Sequence, residues 1–210
     1  NEIAILQNLR HKNVAHFVGY KKVEGSYNVE FLVFMELFSS PASLQQVIQN
    51  MAKKGETFSL KKVKDILQQI SDGLKYLHAN GVAHKNLKTS NVLVRMSGGE
   101  VKSLHIADFG LSAPPAAEPE QTDTPSFAAP EVAEQKYDPF KADIWAFGII
   151  MYEVLTMQEP AVAGIRPSLP DYITNDLRLD SLVTLFNLCT AMDVDQRPAS
   201  SELRSLCYRL

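Results

Sequence analysis

The clearest hydrophobic pattern in the chain is a helical one that lies between Ser59 and Gly81. Its apolar residues recur at intervals of three and four and share one face: Val63, Ile66, Leu67, Ile70, Leu74 and Leu77. Ser59 carries a typical N-cap side chain, and Gly81 is the residue type that most often ends a helix in a left-handed conformation. The pattern therefore predicts one long amphipathic helix between these two residues.

Further helical patterns are found in the second half of the chain and at its start. Apolar spacing predicts helices over 2–9, 129–135, 141–157, 180–191 and 199–209. The segment 141–157 is apolar on nearly all sides, which is typical of a buried helix rather than a surface one.

Four shorter runs have the composition of strands. They cover 14–20, 29–35, 91–95 and 103–107, and the polar turn Glu24-Gly25-Ser26 joins the first two. The first third of the chain mixes helical and strand patterns, and the remainder is mostly helical. The pattern therefore predicts an α+β fold with a smaller mixed part and a larger helical part.

Composition and charge narrow the possible functions. The chain has 210 residues, of which 45% are apolar, and its net charge is -3, so there is no basic excess to suggest a nucleic-acid partner. The longest apolar run, Ile144 to Val154, is too short to insert across a membrane. Only two cysteines occur, which favours a reducing, cytoplasmic location. The first residue is Asn1, where an amphipathic pattern is already under way, so we expect the chain to be cut from a longer protein.

Three short motifs follow one another in the middle of the chain. The first is His-Lys-Asn-Leu-Lys-Thr-Ser-Asn at 84–91, the second is Asp108-Phe109-Gly110, which starts seventeen residues after Asn91, and the third is Ala-Pro-Glu at 129–131. In this order and at these separations the motifs resemble those of the protein kinase family. The catalytic loop of that family reads His-Arg-Asp-Leu, then three or four residues of any type, then Asn. The resemblance covers nearly all of the chain.

This resemblance implies one protein kinase-like domain over 1–210. The expected architecture is a protein-kinase-like α+β fold with an incomplete N-lobe over 1–38, beginning at the family's helix C, and a mainly helical C-lobe over 39–210. The family also implies that Arg197 pairs with Glu131, and that Asp143 begins the buried helix of the C-lobe. Four residues match the family's regulatory spine: Leu6, Phe17, His84 and Phe109.

The resemblance also implies a site for ATP and Mg²⁺. Asn91 and Asp108 would supply the oxygen ligands that Mg²⁺ prefers, although Asp108 could instead only shape the turn before Gly110. Lys88 is either the family's phosphate-neutralising lysine or one more solvated lysine. The nucleotide-binding positions implied by the family are Glu2, Met35, Glu36, Phe38, Leu93 and Asp108.

Asn86 is the position that decides the functional prediction. The family has an aspartate there, which accepts the proton of the substrate hydroxyl, whereas a carboxamide cannot accept that proton at any useful pH. Loss of a general base costs about 10²–10⁴-fold in rate, or roughly 3 to 5 kcal/mol of barrier. Lys85 also replaces the family's arginine and lacks its bidentate fork. The sequence therefore predicts a pseudokinase or a strongly impaired kinase.

We expect such a domain to act as a scaffold or allosteric regulator in phosphorylation signalling, with another kinase or a substrate protein as its partner. The segment 124–127 resembles serine/threonine kinases, and 164–167 resembles the tyrosine-kinase-like branch. One alternative is an active serine/threonine protein kinase whose glycine-rich loop and ATP-contacting lysine lie upstream. Another is a regulatory module attached to a second catalytic domain. Because neither of those upstream elements is in this chain, we expect this segment to bind nucleotide weakly.

Overall fold

A computed structural model describes residues 7–24, 29–36, 42–109, 127–133, 136–160, 162 and 165–210. Over these residues the strands are β1 (Phe17–Glu24), β2 (Val29–Met35), β3 (Ala42–Ser43), β4 (Val92–Ser97) and β5 (Glu100–Ile106). The α-helices are α1 (Leu44–Lys53), α2 (Leu60–Ala79), α3 (Pro139–Thr156), α4 (Asp171–Thr174), α5 (Asp180–Cys189) and α6 (Ser200–Cys207). Short 3₁₀ turns cover Thr89–Asn91, Pro130–Ala133, Leu177–Leu179 and Val194–Gln196.

The first two strands form an antiparallel ribbon. β2 has the predicted bounds. β1 runs from Phe17 to Glu24, so it begins and ends three to four residues later than the predicted strand over 14–20. The reason is that pairing with β2 decides where β1 ends, and this pairing extends along polar residues that a search for apolar runs passes over. Most of the predicted helix over 2–9 lies outside the described residues, and residues 7–8 form a turn.

A short helix that the hydrophobic pattern did not predict follows the ribbon. α1 begins after Ser43, whose side chain accepts a hydrogen bond from the Gln46 N–H, while the Gln46 side chain accepts one from the Ser43 N–H. This reciprocal arrangement is a capping box, which satisfies two backbone donors at the start of the helix. The helix buries Leu44 and Ile48 against the core.

The long predicted helix is confirmed as α2. The Ser59 hydroxyl accepts a hydrogen bond from the Lys62 N–H at 3.3 Å, and Gly81 follows the last turn with a positive φ of 74°. All six residues of its predicted apolar face are buried. At Gly73 a Cβ atom would lie 2.6 Å from the Asn13 carbonyl oxygen, so only glycine lets the segment before β1 lie this close to the helix.

The predicted strands near 91–95 and 103–107 are confirmed as β4 and β5, an antiparallel hairpin in a three-stranded sheet with β3. Gly98 and Gly99 form its two-residue turn, with φ angles of 60° and 79°, as a twisted hairpin requires. Val92 lies opposite Ile106, so the residues just before β4 and just after β5 meet at one end of the sheet.

The buried helix predicted over 141–157 is confirmed as α3, whose Trp145 is fully buried. α5 and α6 confirm the two later helices, each a little shorter than predicted, and α4 was not predicted. The helix predicted over 129–135 is wrong for its described part, which is only a 3₁₀ turn, because Glu131 is held by a tertiary contact. None of the helices in the described ranges is both long and apolar enough to cross a membrane.

These elements enclose one large hydrophobic core between α2, α3, α5, α6 and the β4–β5 hairpin. The predicted α+β class is confirmed, with strands concentrated in the first half of the chain and helices in the second. The same core fixes the ends of β4 and β5 and the loop that follows α2, and these segments carry the candidate functional residues.

Candidate active site

The loop after α2 is held in place by a buried carboxylate on α3. Asp143 is 1% exposed, and its two oxygens accept hydrogen bonds from the backbone N–H groups of His84 and Lys85 at 2.7 and 2.8 Å. The His78 ring nitrogen Nε2 lies 2.9 Å from the same carboxylate. Lys85 has a left-handed φ of 65°, which costs a residue with a side chain about 1–2 kcal/mol. Hydrogen bonds to a buried carboxylate are strong enough to offset that cost.

Asn86 follows directly and presents its side chain to solvent. Its backbone N–H donates to Nδ1 of His84 at 3.3 Å, and its carbonyl oxygen accepts from the Asn91 amide nitrogen at 2.9 Å. Both of these contacts use main-chain atoms of Asn86. A small cavity of about 100 Å³ lies beside it, with Phe127 and Ala129 in its wall.

His84 is a packing residue, as the sequence predicted. Its side chain is buried, and its ring meets the Phe109 ring edge-on with 6.3 Å between centroids. Burial lowers the pKa of His84, which favours a neutral ring whose Nδ1 accepts the hydrogen bond from Asn86. Phe17 is also buried in the same core, whereas Leu6, the remaining predicted spine residue, lies outside the described residues.

The two candidate metal ligands lie at the same end of the β4–β5 hairpin. Asn91 directly precedes β4, and Asp108 comes two residues after β5. The Ala107 N–H donates to the Asn91 carbonyl oxygen at 2.8 Å, which joins the two segments. Asp108 has a left-handed φ of 56° and is exposed, a conformation that aspartate tolerates better than most residues.

The donor atoms at this position suit Mg²⁺. The Asn91 amide nitrogen is used by the Asn86 carbonyl, so its side-chain oxygen is the atom left for a cation, and Asp108 at the same end of the hairpin has an exposed carboxylate. The described ranges contain no cluster of three or more His, Cys, Asp or Glu side chains able to hold a metal by themselves. Mg²⁺ is commonly bound by one or two protein oxygens together with substrate phosphates, so these residues fit that ion.

Two of the predicted nucleotide-contacting residues share a small apolar cluster. Met35, at the end of β2, and Leu93, on β4, both pack against Ala15 and Ala107. Glu36 comes next, and its side chain accepts the His16 N–H at 3.1 Å, so its carboxylate turns back toward β1. Glu2 and Phe38, the other predicted positions, lie outside the described residues.

Lys88 is half-buried within the same loop, two residues after Asn86. Its backbone is extended, and its carbonyl oxygen accepts the Asn91 N–H at 2.9 Å, which closes the 3₁₀ turn over Thr89–Asn91. The loop thus brings Asn86, Lys88 and Asn91 into one short segment, and the loop is held by hydrogen bonds to Asp143 on α3. Such a loop can position a nucleophile and a metal ion, but Asn86 gives it no group that can accept a proton.

Comparison with known proteins identifies this arrangement. The family described as "Protein kinase domain" matches residues 1–208. The chain belongs to the protein kinase family. Mitogen-activated protein kinase kinase kinase 1 of Arabidopsis thaliana is 32% identical over 219 residues, which cover 96% of this chain and 33% of that protein. The serine/threonine-protein kinase shk1/pak1 of Schizosaccharomyces pombe is 29% identical, and the match covers 31% of that protein. This kinase chain therefore spans about a third of the length of these two relatives.

The fold agrees with a solved kinase structure. The PknI kinase domain of Mycobacterium tuberculosis superposes with a TM-score of 0.74, covers 99% of this chain and 76% of its own, and is 19% identical. This likeness confirms the protein-kinase-like α+β fold with a mainly helical C-lobe.

The expected pairing of Arg197 with Glu131 is confirmed in this kinase fold. The guanidinium of Arg197 donates two hydrogen bonds to the Glu131 carboxylate, at 2.5 and 3.0 Å, and stacks 5.0 Å from the Trp145 ring centre. Arg197 also donates to the carbonyl oxygens of Ala191 and Lys141. The bidentate pair fixes the turn over Pro130–Ala133, which borders the cavity beside Asn86.

Sequence reasoning missed a second buried carboxyl group beneath the catalytic loop of the kinase. The Thr89 hydroxyl donates to Glu153 Oε2 at 2.6 Å, and both side chains are buried. Burial raises the pKa of Glu153 to about 7, against the opposing effect of the Thr89 hydrogen bond, and the nearby charge of Glu159 raises it further. The available signal was an acidic residue inside the apolar run of α3, since a buried charge needs a partner.

Proposed function

We propose that this kinase domain is catalytically impaired and acts as a scaffold or allosteric regulator in phosphorylation signalling, with another signalling protein as its partner. The single observation that carries this proposal is Asn86: the surrounding loop is fully supported, yet the residue in the proton-accepting position is a carboxamide. A cytoplasmic location is part of the proposal, and the two cysteines, which are both buried free thiols, are consistent with it.

The chemistry explains why this residue limits the reaction. In phosphoryl transfer to a protein, the substrate hydroxyl oxygen forms a bond to the γ-phosphorus of ATP while the bond to the ADP oxygen breaks. The hydroxyl proton must then leave, and an aspartate would take it. Asn86 can orient the hydroxyl by hydrogen bonding but cannot take up the proton.

The other proposed parts of the site are present in the chain. Asn91 and Asp108 would hold Mg²⁺, which neutralises phosphate charge when it is bound. Lys88 would contribute a further positive charge, and Met35 and Leu93 would contact the nucleotide base through their shared apolar cluster. We expect positioning and charge neutralisation to survive, so the proposed defect is specifically in proton removal.

The first prediction concerns Asn86→Asp in the natural protein. If only the base is missing, this variant should raise phosphate transfer from ATP to a protein substrate by about 10²–10⁴-fold. The measurement is incorporation of radiolabelled phosphate with Mg²⁺-ATP. Asn175→Asp, at an exposed position after α4, makes the same chemical change elsewhere and should have no effect. An unchanged rate in Asn86→Asp would place the defect outside this residue.

An active serine/threonine kinase is the second candidate. It is favoured by the serine/threonine kinases among the relatives and by the retained Lys88, Asn91 and Asp108. The discriminating result is brisk turnover by the unaltered natural protein that Asp108→Ala abolishes, which would refute impairment and leave the family assignment intact. The tyrosine-kinase-like branch remains a prediction from the sequence.

A further inference from the structure

A second, larger concave surface lies away from the candidate active site. It is bounded by α1, the connection from α1 to α2, the first turns of α2 and the tip of the β4–β5 hairpin, and its volume is about 1300 Å³. We call this surface the basic groove. The pockets that enclose small ligands commonly measure about 300–1,000 Å³, so this groove is large enough for a segment of polypeptide.

The floor of the basic groove is apolar. Met51, Phe58, Leu60 and Met96 are partly buried and pack on the main hydrophobic core. They come from α1, the connection after it, α2 and β4, so the floor is formed only when the hairpin tip meets the two helices. A clustered, partly exposed apolar floor of this kind is typical of surfaces that contact other molecules.

The rim of the basic groove carries an excess of positive charge. Four lysines and three acidic residues line it: Lys54, Lys61, Lys62, Lys64, Glu56, Asp65 and Glu100. Two of the acids are already paired, since Asp65 lies 2.9 Å from Lys62 and Glu100 lies 3.1 Å from Lys102.

Two of the rim lysines are exposed and have no close partner. Lys54 and Lys61 make no ion pair within 4 Å and no side-chain hydrogen bond in the part of the chain that the structure describes, although the charge of Lys61 also acts on the nearby Glu100 carboxylate. Their charge runs against the chain as a whole, whose net charge is -3. An acidic partner is therefore the one whose charge complements this rim.

We propose that the basic groove docks an acidic peptide segment of a partner protein, with its apolar side chains on the floor and its carboxylates at Lys54 and Lys61. A concave floor below an exposed rim suits a narrow segment better than a flat membrane surface. The hairpin tip lies at the far end of β4 from Asn91, which is about 20 Å for six strand residues. This proposal does not depend on whether the kinase is impaired.

The test is fluorescence anisotropy with the natural protein and a labelled probe peptide in which leucine alternates with glutamate. We expect saturable binding that weakens as salt is raised. Lys54→Glu/Lys61→Glu should weaken it by about tenfold or more. The matched control is Lys53→Glu/Lys136→Glu, which makes the same charge change at exposed residues that do not line the groove. The control should leave the affinity within about threefold of the unaltered protein.

Two further probes make the outcome decisive. A peptide with lysine in place of glutamate should prefer the Lys54→Glu/Lys61→Glu variant, and a peptide with serine in place of leucine should lose binding to both proteins. Absence of saturable binding, or equal loss in the control variant, would overturn the proposal. So would binding to phosphatidylserine vesicles that depends on Lys54 and Lys61 without any peptide binding, because the groove would then serve a membrane surface.

Discussion

Glu153 has an unusual environment for an acidic residue. It is 1% exposed, its Oε2 atom accepts the Thr89 hydroxyl, and its Oε1 atom has no hydrogen-bond partner within the described part of the chain. A buried carboxylate with one unpaired oxygen is costly, so the protonated form is favoured and the pKa rises from 4.5 to about 7. Because Thr89 belongs to the catalytic loop, the charge on Glu153 affects the support beneath that loop.

Glu153→Gln tests this environment through stability. Between pH 4.5 and 7 the folded state binds more protons at Glu153 than the unfolded state does, so this residue makes the free energy of unfolding fall as the pH rises. The shift corresponds to about 3 kcal/mol at most. Glutamine keeps an oxygen for Thr89 but does not titrate. We expect the stability of the variant relative to the unaltered protein to increase from pH 5 to pH 8 and then level off.

Urea denaturation of both proteins across this pH range measures that difference. Taking the difference removes the contribution of other groups, such as His11 and His84, whose pKa values are lowered by burial and which make stability rise with pH. Glu202→Gln, at an exposed position on α6, is the matched control and should give a flat difference. A flat difference for Glu153→Gln as well would show that Glu153 is ionised throughout.

The candidate site was predictable from sequence wherever a motif marks it. Asn86, Asn91 and Asp108 each lie in a motif, and the hairpin between the last two explains why they lie close together. The buried supports were not predictable in the same way. Asp143 and Glu153 act by reaching across from α3 to a loop that is distant in sequence, and hydrophobic spacing carries no information on such contacts.

At the scale of elements, the packing of α3 against α5 depends on one glycine. A Cβ atom at Gly148 would lie 2.5 Å from Thr190 Cγ2 and 3.0 Å from the Cβ atom of Cys189. The first distance is well inside van der Waals contact, so the two segments can approach this closely only because Gly148 has no side chain.

Gly148→Ala should therefore destabilise the kinase although alanine is the better helix former. Helix propensity favours the change by about 1 kcal/mol, whereas overpacking costs about 1–3 kcal/mol, so we expect a net loss measured by urea denaturation. Adding Thr190→Ser removes the clashing methyl group and keeps the hydroxyl that donates to Phe186. This second change should restore part of the loss, while independent effects of the two substitutions would contradict the proposed contact.

The elements that sequence reasoning found and those that it missed differ in a physical way. α2 and α3 were predicted because burial leaves a regular apolar pattern on a long helix. α1 was missed, although Ser43 and Gln46 supplied a capping-box signal, because its apolar face is short. β1 was displaced because backbone pairing with β2, and not hydrophobicity, determines where it ends.

At the scale of the whole molecule, the β1–β2 ribbon and the helical core differ in how completely their apolar side chains are buried. The ribbon exposes several large apolar side chains: Val18, Tyr20, Val23 and Phe34. At its base the ribbon is joined to the helical core by the hydrogen bond from the Ala15 N–H to the Ile106 carbonyl oxygen at 2.8 Å and by the buried ring of Phe17. We propose on this basis that 1–38 and 39–210 form the smaller and larger parts of the domain.

This division predicts different hydrogen-exchange behaviour within the 210-residue chain. A two-stranded ribbon is marginally stable by itself, so amides of β1 and β2 should exchange through local opening at a free energy at least about 2 kcal/mol below that of global unfolding. Amides of α2 and α3 should require global unfolding.

The β4–β5 hairpin is the matched control, because it has the same antiparallel pairing but buries Val92, Val94 and Leu104 in the main core. Mass spectrometry after deuterium exchange measures all three regions together. Equal opening free energies for the ribbon and α3 would mean that the domain unfolds as one cooperative unit, whereas fast exchange in both hairpins would show that strand pairing, and not coverage by the core, sets the difference.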